Sequence, residues 1–114
     1  MTQFIVMEKN IIFEKHVLKE IHAFPERVQE KIASFIKVLG RRGELNYPDA
    51  KKLQSERNLF EIRIKYKGEW RTLYAYVLVN SIIILSAFHK KSQKTPVEEI
   101  HKARKRLHMF QEGR

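Results

Sequence analysis

The stretch from Leu59 to Lys91, LFEIRIKYKGEWRTLYAYVLVNSIIILSAFHKK, constrains the fold of this chain more than any other. Its periodicity is two. Phe60, Ile62, Ile64 and Tyr66 alternate with Glu61, Arg63 and Lys65, so Leu59 to Tyr66 reads as a strand with one apolar and one charged face. Lys67-Gly68-Glu69 supplies a turn, and Trp70 to Val79 follows as a second strand. Asn80-Ser81 separates it from a β-branched run, Ile82 to Leu85. From Ile82 to Phe88 nearly every position is apolar, as expected of a central strand covered on both sides.

Hairpin arithmetic states which of these residues share a face. A two-residue turn at Asn80-Ser81 pairs Val79 with Ile82 and sets Arg71 opposite Lys90 and Leu73 opposite Phe88. A three-residue loop at Lys67-Gly68-Glu69 pairs Tyr66 with Trp70 and sets Arg63 opposite Leu73, which gathers Arg63, Arg71, Lys90 and Phe88 on one face. A two-residue Lys67-Gly68 turn would send Arg63 to the other side. Cations embedded in strands suit phosphate: guanidinium forks bind its oxygens bidentately, an ammonium acts as a mobile point charge, and an exposed aromatic such as Phe88 can stack on a splayed base. The plainer alternative pairs Arg63 with Glu61 or Glu69 and leaves Phe88 in the core.

The rest of the chain is built around these strands. Phe4 and Val6 alternate with polar and apolar neighbours as a short strand. Asn10 is placed to cap a helix whose apolar residues Phe13, Val17, Ile21 and Phe24 recur every three or four positions. Pro25 ends it and opens a second helix, with Val28, Ile32, Phe35, Ile36 and Leu39 on one face and a stop at Gly40. Arg41 to Ser55 has no sustained period and reads as a basic connection carrying Lys51 and Lys52. Thr95-Pro96-Val97-Glu98 has the form of a capping box, and Val97, Ile100, Ala103, Leu107 and Phe110 continue as the stripe of a last helix, Pro96 to Phe110. These elements predict an α+β fold in one domain, residues 1–114: a small, mainly antiparallel sheet with an N-terminal helical hairpin and a C-terminal helix packed on it.

Charge narrows the function. Lys and Arg number 23 against 13 acids, a net +10, which favours a polyanionic partner, nucleic acid before a membrane surface. Residues 89–114 carry eight of those cations against three glutamates, so the anion should be met near this end. No segment has the apolar length of a membrane span, and Glu8, Lys9 and Glu14 interrupt any signal-peptide core. Without cysteine there are no disulfides or thiolate ligands, in keeping with a reducing cytoplasm. His101 and His108 are two helical turns apart, roughly 10 Å, too far to share a metal. Pro48-Asp49 followed by Glu61-Ile62-Arg63 has the outline of a metal-dependent nuclease motif, but Arg63 stands where a base is needed and cannot readily lose its proton.

Four segments carry a family resemblance: Leu59-Phe60-Glu61-Ile62-Arg63; Glu69-Trp70-Arg71; Ala87-Phe88-His89-Lys90-Lys91-Ser92-Gln93-Lys94-Thr95-Pro96; and Glu99-Ile100 with Ala103 and Arg106. Together they resemble the phage-derived, HigB-like branch of the RelE toxin superfamily. The resemblance implies a RelE-like fold and a cytoplasmic toxin that enters the ribosomal A site and cuts mRNA there. It also implies a HigA-like helix-turn-helix antitoxin as partner, in a hetero-oligomer with the toxin, and no cofactor. Such a toxin lets the ribose 2′-OH attack its own 3′ phosphate, with a base taking the proton, cations stabilising charge on phosphorus and an acid protonating the leaving oxygen. On this resemblance Arg71 is the arginine for transition-state charge and Lys90 the candidate for proton transfer, with His89 its rival; Arg63, Phe88, Lys91, Lys94, Lys51 and Lys52 bind RNA. The tyrosine some superfamily members use is absent, so base and acid stay open. A non-catalytic RNA-binding protein on the same fold is the alternative.

Overall fold

The three strands expected between Leu59 and Lys91 form the centre of a five-stranded sheet in a computed structural model of the chain, which describes residues 8–113. The elements are β1 (Asn10–Phe13), α1 (Val17–His22), α2 (Glu26–Arg42), β2 (Ala50–Lys52), β3 (Phe60–Lys65), β4 (Glu69–Val77), β5 (Ser81–Lys90) and α3 (Val97–Glu112). Strand order is β1-β5-β4-β3-β2, with β1 parallel to β5 and every other pair antiparallel. This is the α+β architecture the sequence predicts. The strand expected at Phe4 and Val6 lies outside the described residues.

Both faces of the sheet are covered. Val17 and Ile21 of α1 and Val28, Ile32, Ile36 and Leu39 of α2 pack on Ile62, Ile64, Tyr74, Ile82 and Ile84. On the opposite face Ile100, Ala103, Leu107 and Phe110 of α3 meet Leu73, Ala75, Val77, Ile83 and Leu85. Each such side chain taken fully out of water contributes roughly 1.5–3 kcal/mol before its entropy is charged against it. From Ile82 to Leu85 alternate residues of β5 therefore serve two different cores, and Ala87 and Phe88 do so again with the parity exchanged, which explains the apolar run.

Four local expectations change. Asn10 caps no helix: Asn-Ile-Ile-Phe pairs instead with Ser81 to Ile84, because the outer edge of β5 would otherwise leave a row of backbone groups without partners. Helix α1 begins later and is short, with Glu14 accepting the His16 backbone N–H at 2.5 Å. Helix α2 runs through Gly40 and ends at Gly43, which adopts the left-handed conformation (φ 82°) and returns its N–H to Leu39. A Cβ on Gly40 would stand 3.2 Å from Ile11 Cγ1, so the Ile11 side chain would have to give by a few tenths of an ångström. The connection after it contains β2, which pairs with β3. Thr95 does not cap α3: its hydroxyl donates to Glu61 Oε2 at 2.8 Å, serving a buried carboxylate rather than helix N–H groups that water can reach.

One cation ties the last helix to the first. Arg106 on α3 donates to both carboxylate oxygens of Glu20 (3.1 and 2.8 Å) and to the Leu85 carbonyl (2.8 Å), and Glu14 lies 3.4 Å from its Nε. Burial alone would raise the Glu20 pKa, but hydrogen bonds from Arg106 and the Ala87 N–H outweigh it and hold the group below its ordinary value. A carboxyl so depressed contributes stability above its unfolded pKa near 4.5, and that contribution is lost as pH falls through the folded value. Arg106→Met should cost roughly 2–3 kcal/mol at neutral pH. Below about pH 4 the gap between wild type and variant should close, which chemical denaturation at a series of pH values would read.

Candidate functional site

The charged face of β3 and β4 continues past the end of the core beneath α3. Strand register builds it in rows: Arg63 on β3 faces Arg71 on β4, which faces Phe88 on β5; one step on, Lys65 faces Glu69, which faces Lys90. The predicted pairings, Arg71 with Lys90 and Arg63 with Leu73, are thus displaced, yet the expected set still shares one face. The reason is a bulge. A three-residue loop, Leu78-Val79-Asn80, joins β4 to β5 and sets Val77 opposite Ser81 and Tyr74 opposite Ile84, after which the register shifts so that Leu73 faces Ser86. Had the loop's register continued unbroken, Arg71 would face Ala87, and Phe88 and Lys90 would project from the other side.

Arg71 is not the exposed cation the sequence led us to expect. It is 2% exposed, donates from Nη2 to Glu69 Oε1 at 2.8 Å and from Nη1 to the Trp70 carbonyl at 3.1 Å, and holds Glu61 Oε1 at 3.8 Å from Nε. Two glutamates on the same face draw it beneath the surface. Glu61 is itself buried, and the Arg71 hydrogen bond lowers the Glu69 pKa. Neither carboxylate was assigned a site role from sequence, although the period-two alternation already places Glu61 with Arg63 and Glu69 with Arg71.

Lys90 sits at the surface end of this arrangement, its Nζ donating to the Gln93 carbonyl at 2.6 Å. Its pKa is lowered, first by desolvation and then by repulsion from Arg71 and Arg63, which together outweigh the attraction of Glu61 and Glu69. Arg63 is half-buried. Its Nε is shielded from water with no hydrogen-bond partner, its backbone N–H donates to the Asp49 carbonyl at 2.8 Å, and its guanidinium carbon stands 5.6 Å over the Tyr47 ring. It pairs with neither Glu61 nor Glu69, because Arg71 has taken both.

The remaining expected residues divide. Lys91 and Lys94 are exposed on the β5–α3 connection, and Lys51, opposite Glu61, joins the charged face from β2. Lys52 points to the other face and donates to the Glu56 carbonyl, so it does not join. Phe88 is 8% exposed and belongs to the core beneath α3, so it offers no ring for a base. His89 faces the α1–α2 side and stacks on Trp70 with centroids 4.2 Å apart, across the sheet from Lys90. In the metal-nuclease outline, the Glu61 carboxylate is already held by Thr95 and Arg71. What this face brings together is a half-buried guanidinium at Arg63 with an unpartnered Nε, a lysine with a lowered pKa, and a buried guanidinium at Arg71 behind it.

A family model described as "Phage derived protein Gp49-like" matches residues 19–108. No curated protein matches the sequence. Among solved structures, a mutant of the Escherichia coli toxin RelE in the free state superposes with a TM-score of 0.68 at 17% identity, covering 88% of this chain and 98% of that one. A RelB–RelE antitoxin–toxin complex from Methanococcus jannaschii matches with a TM-score of 0.59 at 24% identity, over 75% of this chain and 99% of that one. A toxin–antitoxin complex from Mycobacterium tuberculosis gives 0.56 at 22%, over 75% and 94%. At these identities the likeness establishes a shared fold.

Proposed function

Given that the chain belongs to the phage-derived Gp49-like family and carries the RelE fold, we propose that it is the toxin of a type II toxin–antitoxin system and acts as a metal-independent, ribosome-dependent mRNA endoribonuclease. The whole chain serves as one cytoplasmic toxin domain, of the HigB-like kind, and its partner is an antitoxin with a helix-turn-helix. The observation that carries this reading is Lys90, a surface lysine with a lowered pKa on the same face as Arg63 and the buried Arg71.

In the proposed reaction, neutral Lys90 accepts the proton of the ribose 2′-OH as its oxygen attacks the adjacent phosphorus, and the P–O5′ bond breaks to leave a 2′,3′-cyclic phosphate and a 5′ oxygen that takes a proton from water. Arg63 supplies the free guanidinium donor for the phosphate oxygens, with Lys51, Lys91 and Lys94 at the rim. Arg71 acts through Lys90 as a positioning residue: its fixed charge makes the ammonium easier to deprotonate. It would touch the phosphate only if Glu69 released it. His89, on the opposite face, has no part.

That same pairing of Arg71 with carboxylates favours a second reading, a protein that binds RNA without cutting it. Primer extension on cellular mRNA after induction separates the two. New 5′ ends at positions in register with codons support the nuclease; their absence, with RNA still co-purifying, supports the binder. Cleavage by purified protein on programmed ribosomes that stops on adding EDTA, at magnesium levels that keep the ribosomes intact, would contradict the metal-independent mechanism.

A further inference from the structure

With Phe88 buried, the aromatic expected beside the cations must come from elsewhere, and another one stands at the same row. Tyr47 is 72% exposed in the connection between α2 and β2. Arg63 lies over one side of its ring at 5.6 Å, and so high an exposure leaves the other side open to solvent. The segment is tied down: Asp49 N–H and Ala50 N–H both donate to the Asn46 carbonyl (3.0 and 3.1 Å), and the Asp49 carbonyl receives the Arg63 N–H at 2.8 Å. The ring is thus held along the edge of β3 where β2 has not yet begun. Beneath it lies a groove of about 400 Å³ whose lining includes Lys31, Tyr47, Arg63 and Lys65 together with the acidic Asp49 and Glu69. Arg63 contributes a guanidinium whose shielded Nε has no partner.

We propose that this groove is a binding site for one unpaired nucleobase. The base stacks on the open side of Tyr47, and an adjoining phosphate is taken by Arg63 and Lys65. Exposed aromatics beside cations are how single strands are held without sequence readout, since every base has a π-face; purines, with the larger face, bind ahead of pyrimidines. Arg63 occupies the row next to Arg71 and Phe88, so its strand lies about two strand spacings, roughly 10 Å, from the strand that carries Lys90, and the stacked base lies farther out, beyond the Tyr47 ring. The inference deepens the reading of the chain as an RNA-directed toxin and rests on it for the identity of the ligand as RNA.

The test is binding of fluorescein-labelled hexa-adenylate and hexa-uridylate, followed by anisotropy up to millimolar RNA. The Lys90→Ala background lets the protein be produced and keeps the RNA whole. Tyr47→Ala should weaken hexa-adenylate binding about tenfold or more, and Tyr47→Phe should stay within about twofold of the parent. The salt dependence of affinity should be unchanged in Tyr47→Ala, because stacking releases no counterions, whereas Arg63→Ala should reduce the slope by about one. Equal binding by Tyr47→Ala and its parent, or no binding by the parent at millimolar RNA, overturns the nucleobase site. Either result leaves the nuclease reading standing if induced cells still show new mRNA ends; ends that are missing while Tyr47-dependent binding persists sink the nuclease and keep the site.

Discussion

Cells expressing Lys90→Arg should grow as though no toxin were present, and mRNA from them should show none of the new 5′ ends expected from the wild-type protein. Arginine preserves the positive charge on this surface but cannot give up its proton at any pH the cell reaches, so it separates phosphate attraction from proton transfer. Loss of a positioned base costs about a hundredfold or more in rate. Lys90 is near the surface and bonds only the Gln93 carbonyl, so the variant should fold as wild type does by circular dichroism and thermal melting. On purified ribosomes the wild-type rate should rise with pH, since the working form of Lys90 is neutral and the shift is downward from 10.5. A fully toxic Lys90→Arg would remove lysine from the proton-transfer step. His89→Ala should retain cleavage, its ring being stacked on Trp70 across the sheet.

Arg71→Ala should fail for a different reason: the protein should lose most of its stability. Removing a 2%-exposed guanidinium leaves Glu61, itself 6% exposed, as a buried charge with only the Thr95 hydroxyl to answer it. Breaking a buried pair by deleting one partner costs about 3–5 kcal/mol, enough to lower the melting temperature on the order of 10 °C or more. Loss of toxicity in this variant therefore says nothing about chemistry. Replacing both partners is the informative experiment. Arg71→Met combined with Glu61→Gln should recover most of the stability, because neither side then leaves a naked charge. Arg71 lowers and Glu61 raises the Lys90 pKa, so the double variant is read against Glu61→Gln alone: if Arg71 weakens the proton affinity of Lys90, cleavage by the double variant should need a higher pH than cleavage by that single variant. Recovered stability with an unshifted pH profile would make Arg71 purely structural. If Arg71→Ala melts with wild type, the buried pairing described above is wrong.

These two residues mark how far the sequence reaches. Period-two alternation identified the three central strands and put Arg63, Arg71 and Lys90 on a common face, because alternation is local and survives any change of partner that preserves parity. The partners themselves were misjudged. A three-residue loop and a bulge each shift the register by an amount no residue type announces, and their effects on the facing side cancel in parity. Depth was equally hidden. The positions of Glu61 and Glu69 on the face of Arg71 could be read from the chain, but that they would draw Arg71 under, rather than neutralise Arg63, depends on a cross-strand diagonal that only the fold supplies. At the N-terminus, Phe13, Val17, Ile21 and Phe24 satisfied a helical period, yet Asn10 to Phe13 went to the open edge of β5, where backbone pairing outweighs local pattern. Gly40 looked like a helix stop but lies within α2, close against Ile11. Tyr47 had no sequence signal at all, sitting in an aperiodic connection tied to β3 by the backbone bond from the Arg63 N–H to the Asp49 carbonyl.

The clasp formed by Arg106, Glu14 and Glu20 also has a temporal meaning. Synthesis runs from the N-terminus, so both glutamates emerge long before the arginine that answers them. The same holds for Glu61, which waits for the Thr95 hydroxyl, and for Lys90, which waits for the Gln93 carbonyl. A nascent copy thus lacks its clasp until helix α3, Val97–Glu112, has been translated through Arg106, and its cationic face is unfinished until the β5–α3 connection has emerged.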